Sequence, residues 1–126
     1  MKMLIVLDTN FLIYAVRYKI DIKSELERIA NFTYEVVVPS QVFKELQWIS
    51  KRKIKAKGKD REAAAVALLL IKDFKIIETH AESVDNACLE LAEGNCLATL
   101  DADLRKRFKK GKILVIKQKK YLSFIR

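Results

Sequence analysis

Short apolar runs alternate with longer amphipathic segments along this chain. The first run, residues 3–7, holds five apolar residues without alternation, which is typical of a strand buried on both faces of a parallel sheet. Similar runs predict four more strands, at residues 35–38, 74–77, 95–100 and 113–116. Two interpretations of residues 119–126 stay open, a further strand or an extended arm.

Between the strands, apolar residues recur at helical spacing. They predict helices at residues 11–18, 22–30, 40–52, 61–72, 81–93 and 104–110. The basic stretch around Gly58 is expected to be a loop or an exposed helix end. Because strands alternate with helices, the predicted fold class is α/β, a three-layer α/β/α sandwich with a central, mostly parallel five-stranded sheet.

The size and composition predict one domain over residues 1–126. A chain of 126 residues that is 51% hydrophobic can fill one compact core but not two. No apolar run reaches membrane-spanning length and the first strand starts at Met3, so neither a membrane partner nor a signal peptide is expected. Cys88 and Cys96 lie in apolar surroundings without metal-binding spacing, which predicts reduced thiols in a cytoplasmic protein.

Charge is distributed unevenly, although the net value is +9. Residues 51–61 carry seven basic side chains against one acid, and residues 105–126 carry ten basic side chains and no acid. The remainder has a net charge of −7. Each basic segment alone could be a solvated surface, but an acidic body between two basic segments favours a nucleic-acid partner.

Four acidic residues fall where predicted strands lead into helices. Asp8 directly follows the first strand and Asp101 the fourth, while Glu45 and Asp85 lie in the early turns of the helices after the second and third. Helical spacing puts Glu45 and Asp85 at the margins of their apolar stripes, so both can face Asp8 across the sheet. A plain helix-capping or helix-dipole role stays open for each acid.

Several carboxylates in one cleft repel one another, so they must protonate or bind a cation. Because no His or Cys ligands accompany them, the oxygen donors select Mg²⁺ or Mn²⁺ rather than zinc. Such an ion can activate water and stabilise charge on a phosphoryl group. We therefore predict a magnesium or manganese site at Asp8, Glu45, Asp85 and Asp101.

The motifs around these acids resemble those of the PIN-domain family. They read Leu7-Asp8-Thr9-Asn10, Val38-Pro39-Ser40-Gln41-Val42-Phe43-Lys44-Glu45-Leu46, Val84-Asp85-Asn86-Ala87 and Thr99-Leu100-Asp101, in the family's order over nearly the whole chain. The basic ending, residues 104–108 and 119–122, is most similar to archaeal PIN proteins of the ribosomal-RNA-processing branch. It is less similar to the toxins of toxin–antitoxin pairs.

The resemblance implies a metal-dependent endoribonuclease that acts on single-stranded RNA. Its catalytic residues and metal ligands would be Asp8, Glu45, Asp85 and Asp101. Further residues beside the ligands or the phosphate would be Thr9, Asn10, Thr99 and Asp103, with a helix cap favoured for Asp103. Many relatives carry two adjacent acids where this chain has Asp85-Asn86, and the helical-face argument selects Asp85 as the ligand.

Candidate RNA-binding residues lie in the two basic segments. They are Lys51, Arg52, Lys53, Lys55, Arg105 and Arg107. The tyrosines and Trp48 are available for base stacking, and a core or surface role for Trp48 is equally open. His80, the single histidine, is expected to lie in an exposed loop.

Two alternative functions remain open beside the endoribonuclease. One is a non-catalytic PIN-like protein that binds RNA or assists ribosome assembly, and the other is a ribonuclease toxin. A homodimer is left open as well, whereas an antitoxin partner is open but not favoured.

Overall fold

A computed structural model of the chain describes residues 2–52 and 58–126. The described elements are β1 Met3–Leu7, α1 Thr9–Arg17, α2 Ile22–Ile29, β2 Tyr34–Pro39, α3 Ser40–Lys51, α4 Gly58–Leu70, β3 Lys75–Ile77, α5 Val84–Ala92, β4 Cys96–Ala98, α6 Ala102–Arg107, β5 Lys112–Lys117 and β6 Tyr121–Phe124. A 3₁₀ helix, Ile71–Asp73, follows α4 directly.

The strands form one sheet in the order β3-β2-β1-β4-β5-β6. The first five are parallel to their neighbours, and β6 pairs antiparallel with β5. The chain therefore starts in the middle of the sheet, winds outward to β3, and crosses back to add β4 on the other side of β1. In a sheet wound this way, the crevice at the carboxyl ends of the two central strands is the usual ligand site.

The predicted α/β fold with a mostly parallel sheet is confirmed, but the sheet has six strands rather than five. The extra strand is β6, so the strand interpretation of the C-terminal segment is correct. The turn before it places Gln118 and Lys119 at φ values of 55°. Turns with positive φ usually contain Gly or Asn, and because neither occurs here the hairpin gave no clear sequence signal.

Most predicted elements are present with shifted ends. The strand predicted at residues 95–100 covers only Cys96–Ala98, and α4 begins at Gly58, three residues before the predicted start. Helix α6 begins at Ala102 instead of residue 104. These ends depend on individual side-chain caps and turns, which apolar periodicity does not report.

The hydrophobic core lies on both faces of the central strands. Ile5, Val6 and Leu7 of β1 have no solvent exposure, and Leu97 of β4 is equally buried. The unalternating run in β1 thus has the cause inferred from the sequence, since helices cover both faces of the sheet. Within the described residues, none of the helices is long and apolar enough to cross a membrane.

Candidate active site

Asp8 lies at the carboxyl end of β1, where the sheet changes its winding direction. It is 5% exposed, and both of its carboxylate oxygens are held. Oδ1 accepts a hydrogen bond from the Thr9 backbone N–H at 2.8 Å, which caps α1. Oδ2 accepts from the Thr99 hydroxyl, also at 2.8 Å, and Thr99 follows β4. The two central strands are therefore joined at their carboxyl ends through this carboxylate.

The environment of Asp8 raises the pKa of its carboxyl group. Burial is the largest cause, and the hydrogen bonds from Thr99 and Thr9 oppose it. The negative charges of Asp85 and Glu45 raise the pKa further. Three of the four predicted metal ligands are therefore near enough to interact electrostatically, and a cation between them would lower the free energy of ionised Asp8.

Asp101 joins this group through Thr99. Its backbone N–H donates to the Thr99 hydroxyl at 3.1 Å. Its Oδ1 accepts from the backbone N–H groups of Asp103 at 2.8 Å and Leu104 at 3.2 Å, so Asp101 is the N-cap of α6. The capping role favoured for Asp103 is therefore wrong, because the helix starts earlier and Asp103 lies exposed in its first turn.

Glu45 and Asp85 are half-buried on α3 and α5, as their helical positions predicted. The loop that leads into α5 is tied to α3 by Gln41, whose side-chain amide donates to the Thr79 hydroxyl at 2.7 Å and to the Ala81 carbonyl at 3.0 Å. Ser83 then caps α5. These contacts fix α5 against α3, which sets the relative position of the two acids.

Arg107, the last residue of α6, lies beside the acidic cleft, by which we mean the region of Asp8, Glu45, Asp85 and Asp101 at the carboxyl ends of the strands. Its guanidinium donates to the Asn86 side-chain oxygen at 3.0 Å and lies 3.8 Å from Asp85 Oδ2. The sequence placed Arg107 among the RNA-binding residues without indicating this contact. Because α5 and α6 are separated by β4, only the folded sheet brings these residues together.

The donor set suits a hard divalent cation. The acids supply oxygen ligands only, which are the donors preferred by Mg²⁺ and Mn²⁺. The Thr9 hydroxyl, buried next to Asp8, has no hydrogen-bond partner among the residues that the structure describes, and it is a further oxygen at this edge. With the side chains as they stand, no three acidic, His or Cys groups in residues 2–52 and 58–126 already converge on a common metal position. The fit therefore rests on donor chemistry and charge.

The remaining candidates are spread over the surrounding surface. Asn10 and Lys51 are exposed, and Arg52 and Arg105 are partly buried. Lys53 and Lys55 lie outside the described residues. His80 is exposed in the loop between β3 and α5, as expected.

Cys88 was expected only as a core thiol, yet it lies under the acidic cleft. Burial is the main reason that its pKa is raised, and the charges of Asp8, Asp85 and Glu45 add to the effect. The pKa of Cys96 is raised to about 12, mainly by burial. Both thiols are free and protonated at neutral pH, so neither is a nucleophile for this site.

These features define a doubly wound α/β domain with an acidic cleft at its switch point. A family profile described as a PIN like domain matches residues 5–120. The chain belongs to this PIN-like family.

Two curated archaeal relatives are similar over most of their length. Ribonuclease VapC4 of Methanocaldococcus jannaschii is 38% identical over 124 residues, which cover 94% of each chain. Ribonuclease VapC9 of Archaeoglobus fulgidus is 32% identical over 112 residues, or 87% of this chain and 78% of the relative.

Solved structures share the fold at lower identity. The PIN domain endonuclease Utp24 superimposes with a TM-score of 0.78 at 19% identity, covering 98% of this chain and 91% of that one. A chain from the crystal structure of VapBC2 of Rickettsia felis, which is bound to a DNA fragment from the VapBC2 promoter, gives a TM-score of 0.66 at 19% identity. The match covers 91% of this chain and 100% of that one. At this identity the likeness supports the fold alone.

Proposed function

We propose that this PIN-like protein is an endoribonuclease that hydrolyses phosphodiester bonds in single-stranded RNA with Mg²⁺ or Mn²⁺. The observation that carries the proposal is the buried Asp8 carboxylate at the switch point, on which the charges of Glu45 and Asp85 act. The two archaeal relatives named as ribonucleases support RNA as the substrate. Processing of ribosomal RNA in the cytoplasm is the proposed setting.

Asp8, Glu45, Asp85 and Asp101 would hold the metal. When bound, the ion would supply activation of a water molecule and stabilisation of charge on the phosphate. The Thr99 hydroxyl and the Thr9 N–H hold the Asp8 oxygens in place, so little rearrangement of this carboxylate is needed. Arg107 sits where it can exchange its contact with Asp85 for one with an RNA phosphate.

The basic segments would bind the RNA backbone. Lys51 is the last residue of α3 and Arg52 follows it, and Arg105 and Arg107 are on α6, which begins directly after Asp101. Such contacts are independent of sequence and weaken as salt rises. Lys53 and Lys55 belong to the same proposed surface on sequence grounds.

A toxin regulated by a protein partner is the second candidate. The similarity to the two VapC relatives favours it. It predicts growth arrest on expression and relief by a partner that covers the acidic cleft. A protein that cleaves RNA without arresting growth would instead favour the processing role.

The test of the nuclease is Asp8→Asn, assayed on fluorophore-labelled single-stranded RNAs with Mn²⁺. We expect cleavage to fall by roughly 100-fold or more, since a ligand charge is lost at the metal. RNA affinity should be kept. The matched control is Asp73→Asn, which removes an exposed carboxylate from the 3₁₀ helix and should cleave like wild type. A wild type inactive on all RNAs that it binds would favour the non-catalytic alternative.

A further inference from the structure

One strip of α3 continues from the acidic cleft to an exposed aromatic ring. The strip lies along one side of the helix because its residues are spaced at i, i+4, i+7 and i+11. They are Gln41, Glu45, Trp48 and the C-cap residue Arg52. Trp48 is offset from Glu45 by about 4.5 Å along the axis and about 60° around it. Helical side chains lean toward the N-terminus, which brings Trp48 toward Glu45 and the sheet edge.

Trp48 is exposed in a way that the hydrophobic core does not explain. Its exposed fraction is 58%, whereas Val42 and Leu46 on the opposite side of α3 are fully buried. The Arg52 guanidinium lies 4.1 Å from the centre of the ring and covers one of its faces. A ring held by a cation on one side while remaining largely open to solvent is suited to stack a planar group.

The charges around Trp48 favour a polyanion over a protein partner. Lys44 and Lys51 are exposed and lie four positions before and three after the ring, and Glu45 is the single acid of α3. Basic groups interleaved with an aromatic residue are typical of surfaces that bind single-stranded nucleic acid. The exposed aliphatic residues of α4, Val66 and Leu69, offer no comparable ring.

We propose that Trp48 and Arg52 form a stacking site for an unpaired RNA base next to the phosphate bound at the acidic cleft. The site would hold the strand in register with Glu45, so that a stacked base places the adjoining phosphate near the acids. It would accept any base, because every base has a flat π face. The proposal deepens the nuclease function and rests on it for the identity of the bound strand.

The single tryptophan makes this site directly observable. The full chain carrying Asp8→Asn is titrated in EDTA with a ten-nucleotide oligouridylate, and with an abasic ribose-phosphate oligomer of the same length. We expect the oligouridylate to quench Trp48 fluorescence on binding and the abasic oligomer to bind more weakly with little quenching. Unchanged fluorescence at saturating oligouridylate, or no binding of any RNA, overturns the proposal.

Substitutions then separate stacking from general attraction. Trp48→Ala should weaken oligouridylate binding by about five- to 150-fold, whereas its affinity for the abasic oligomer should stay unchanged. Trp48→Phe should keep most of the affinity, and the control Leu69→Ala, which truncates another exposed apolar side chain, should bind like wild type. Circular dichroism checks that each variant is folded. A Trp48→Ala variant that binds RNA normally but loses self-association overturns the proposal in favour of a protein contact.

The outcomes also distinguish this proposal from the nuclease function. Quenching without any Mn²⁺-dependent cleavage by the wild type supports the stacking site and removes the proposed catalysis. If the wild type cleaves RNA but Trp48 fluorescence does not change on RNA binding, the stacking site is overturned and the proposed catalysis is supported.

Discussion

At the residue scale, Asp8 caps a helix and is also bound by a residue that follows the neighbouring strand. One oxygen caps α1 through the Thr9 N–H, and the other is held by Thr99 from the neighbouring strand. Capping is therefore no argument against a functional role. The sequence could place Asp8 at a strand end, but its contact with Thr99 depends on β4 lying beside β1. That order comes from the packing of the whole sheet.

The raised pKa of Asp8 predicts a pH-dependent cost to stability in the metal-free protein. The unfolded carboxyl has a pKa of about 3.9, and the folded one is higher, so the native state binds the proton more tightly. Below about pH 4 the carboxyl is protonated in both states and does not lower the free energy of unfolding. As the pH rises through the folded pKa, ionisation of the buried group lowers that free energy. Asn at this position would carry no charge, and its side-chain oxygen would still accept from the Thr9 N–H.

We therefore expect Asp8→Asn to become more stable than wild type in EDTA as the pH rises from 4 to 8. Urea unfolding of both proteins across this range measures the difference. Asp73→Asn serves as the control for removal of a carboxylate elsewhere in the protein, because this side chain is exposed on the surface. A difference between Asp8→Asn and wild type that is constant or shrinks with pH contradicts this interpretation.

At the scale of elements, the order of strands and helices could be predicted because apolar runs record burial directly. The ends of the elements could not, because single polar contacts decide them. Asp101 starts α6 two residues earlier than periodicity indicates, and the turn at Gln118 and Lys119 lacks the usual glycine. The contact of Arg107 with Asn86 could not be predicted for a different reason, since it joins two helices that only the folded sheet brings together.

The connection from α6 to β5 contains Gly111, where an added side chain would clash with its neighbours. Gly111 has φ +145°, and an added Cβ would lie 2.3 Å from the Asn95 carbonyl oxygen and 2.6 Å from Phe108 Cζ. Gly111→Ala should therefore lower the free energy of unfolding by about 2–5 kcal/mol, from backbone strain and overpacking together. Urea unfolding measures this loss.

The matched control is Gly94→Ala, in the connection from α5 to β4. Gly94 also has positive φ, +75°, but an added Cβ would meet no atom within 4 Å. Its cost should be limited to the backbone term of about 1–2 kcal/mol. An equal or smaller loss for Gly111→Ala would show that the close contact is relieved by local movement.

At the scale of the whole molecule, basic residues are concentrated in two segments, and the candidate acids follow strands of the sheet. The net charge of +9 arises from two basic segments, while Asp8 and Asp101 follow the two central strands and Glu45 and Asp85 lie on the helices after β2 and β3. The sequence could predict this separation, since both charge runs and strand ends are local. It could not predict the strand order β3-β2-β1-β4-β5-β6, which decides that Asp8 and Asp101 follow adjacent strands.

Asp8, Glu45, Asp85 and Asp101 together are proposed to hold a divalent ion. The most direct measurement is the anomalous difference density of crystals soaked in Mn²⁺, with Asp8→Asn crystals as the control. We predict a peak in contact with Asp8 and at least two of the other three acids, strongly reduced in the variant. No peak among these residues at saturating Mn²⁺, or a peak that is unchanged by Asp8→Asn, would contradict the claim.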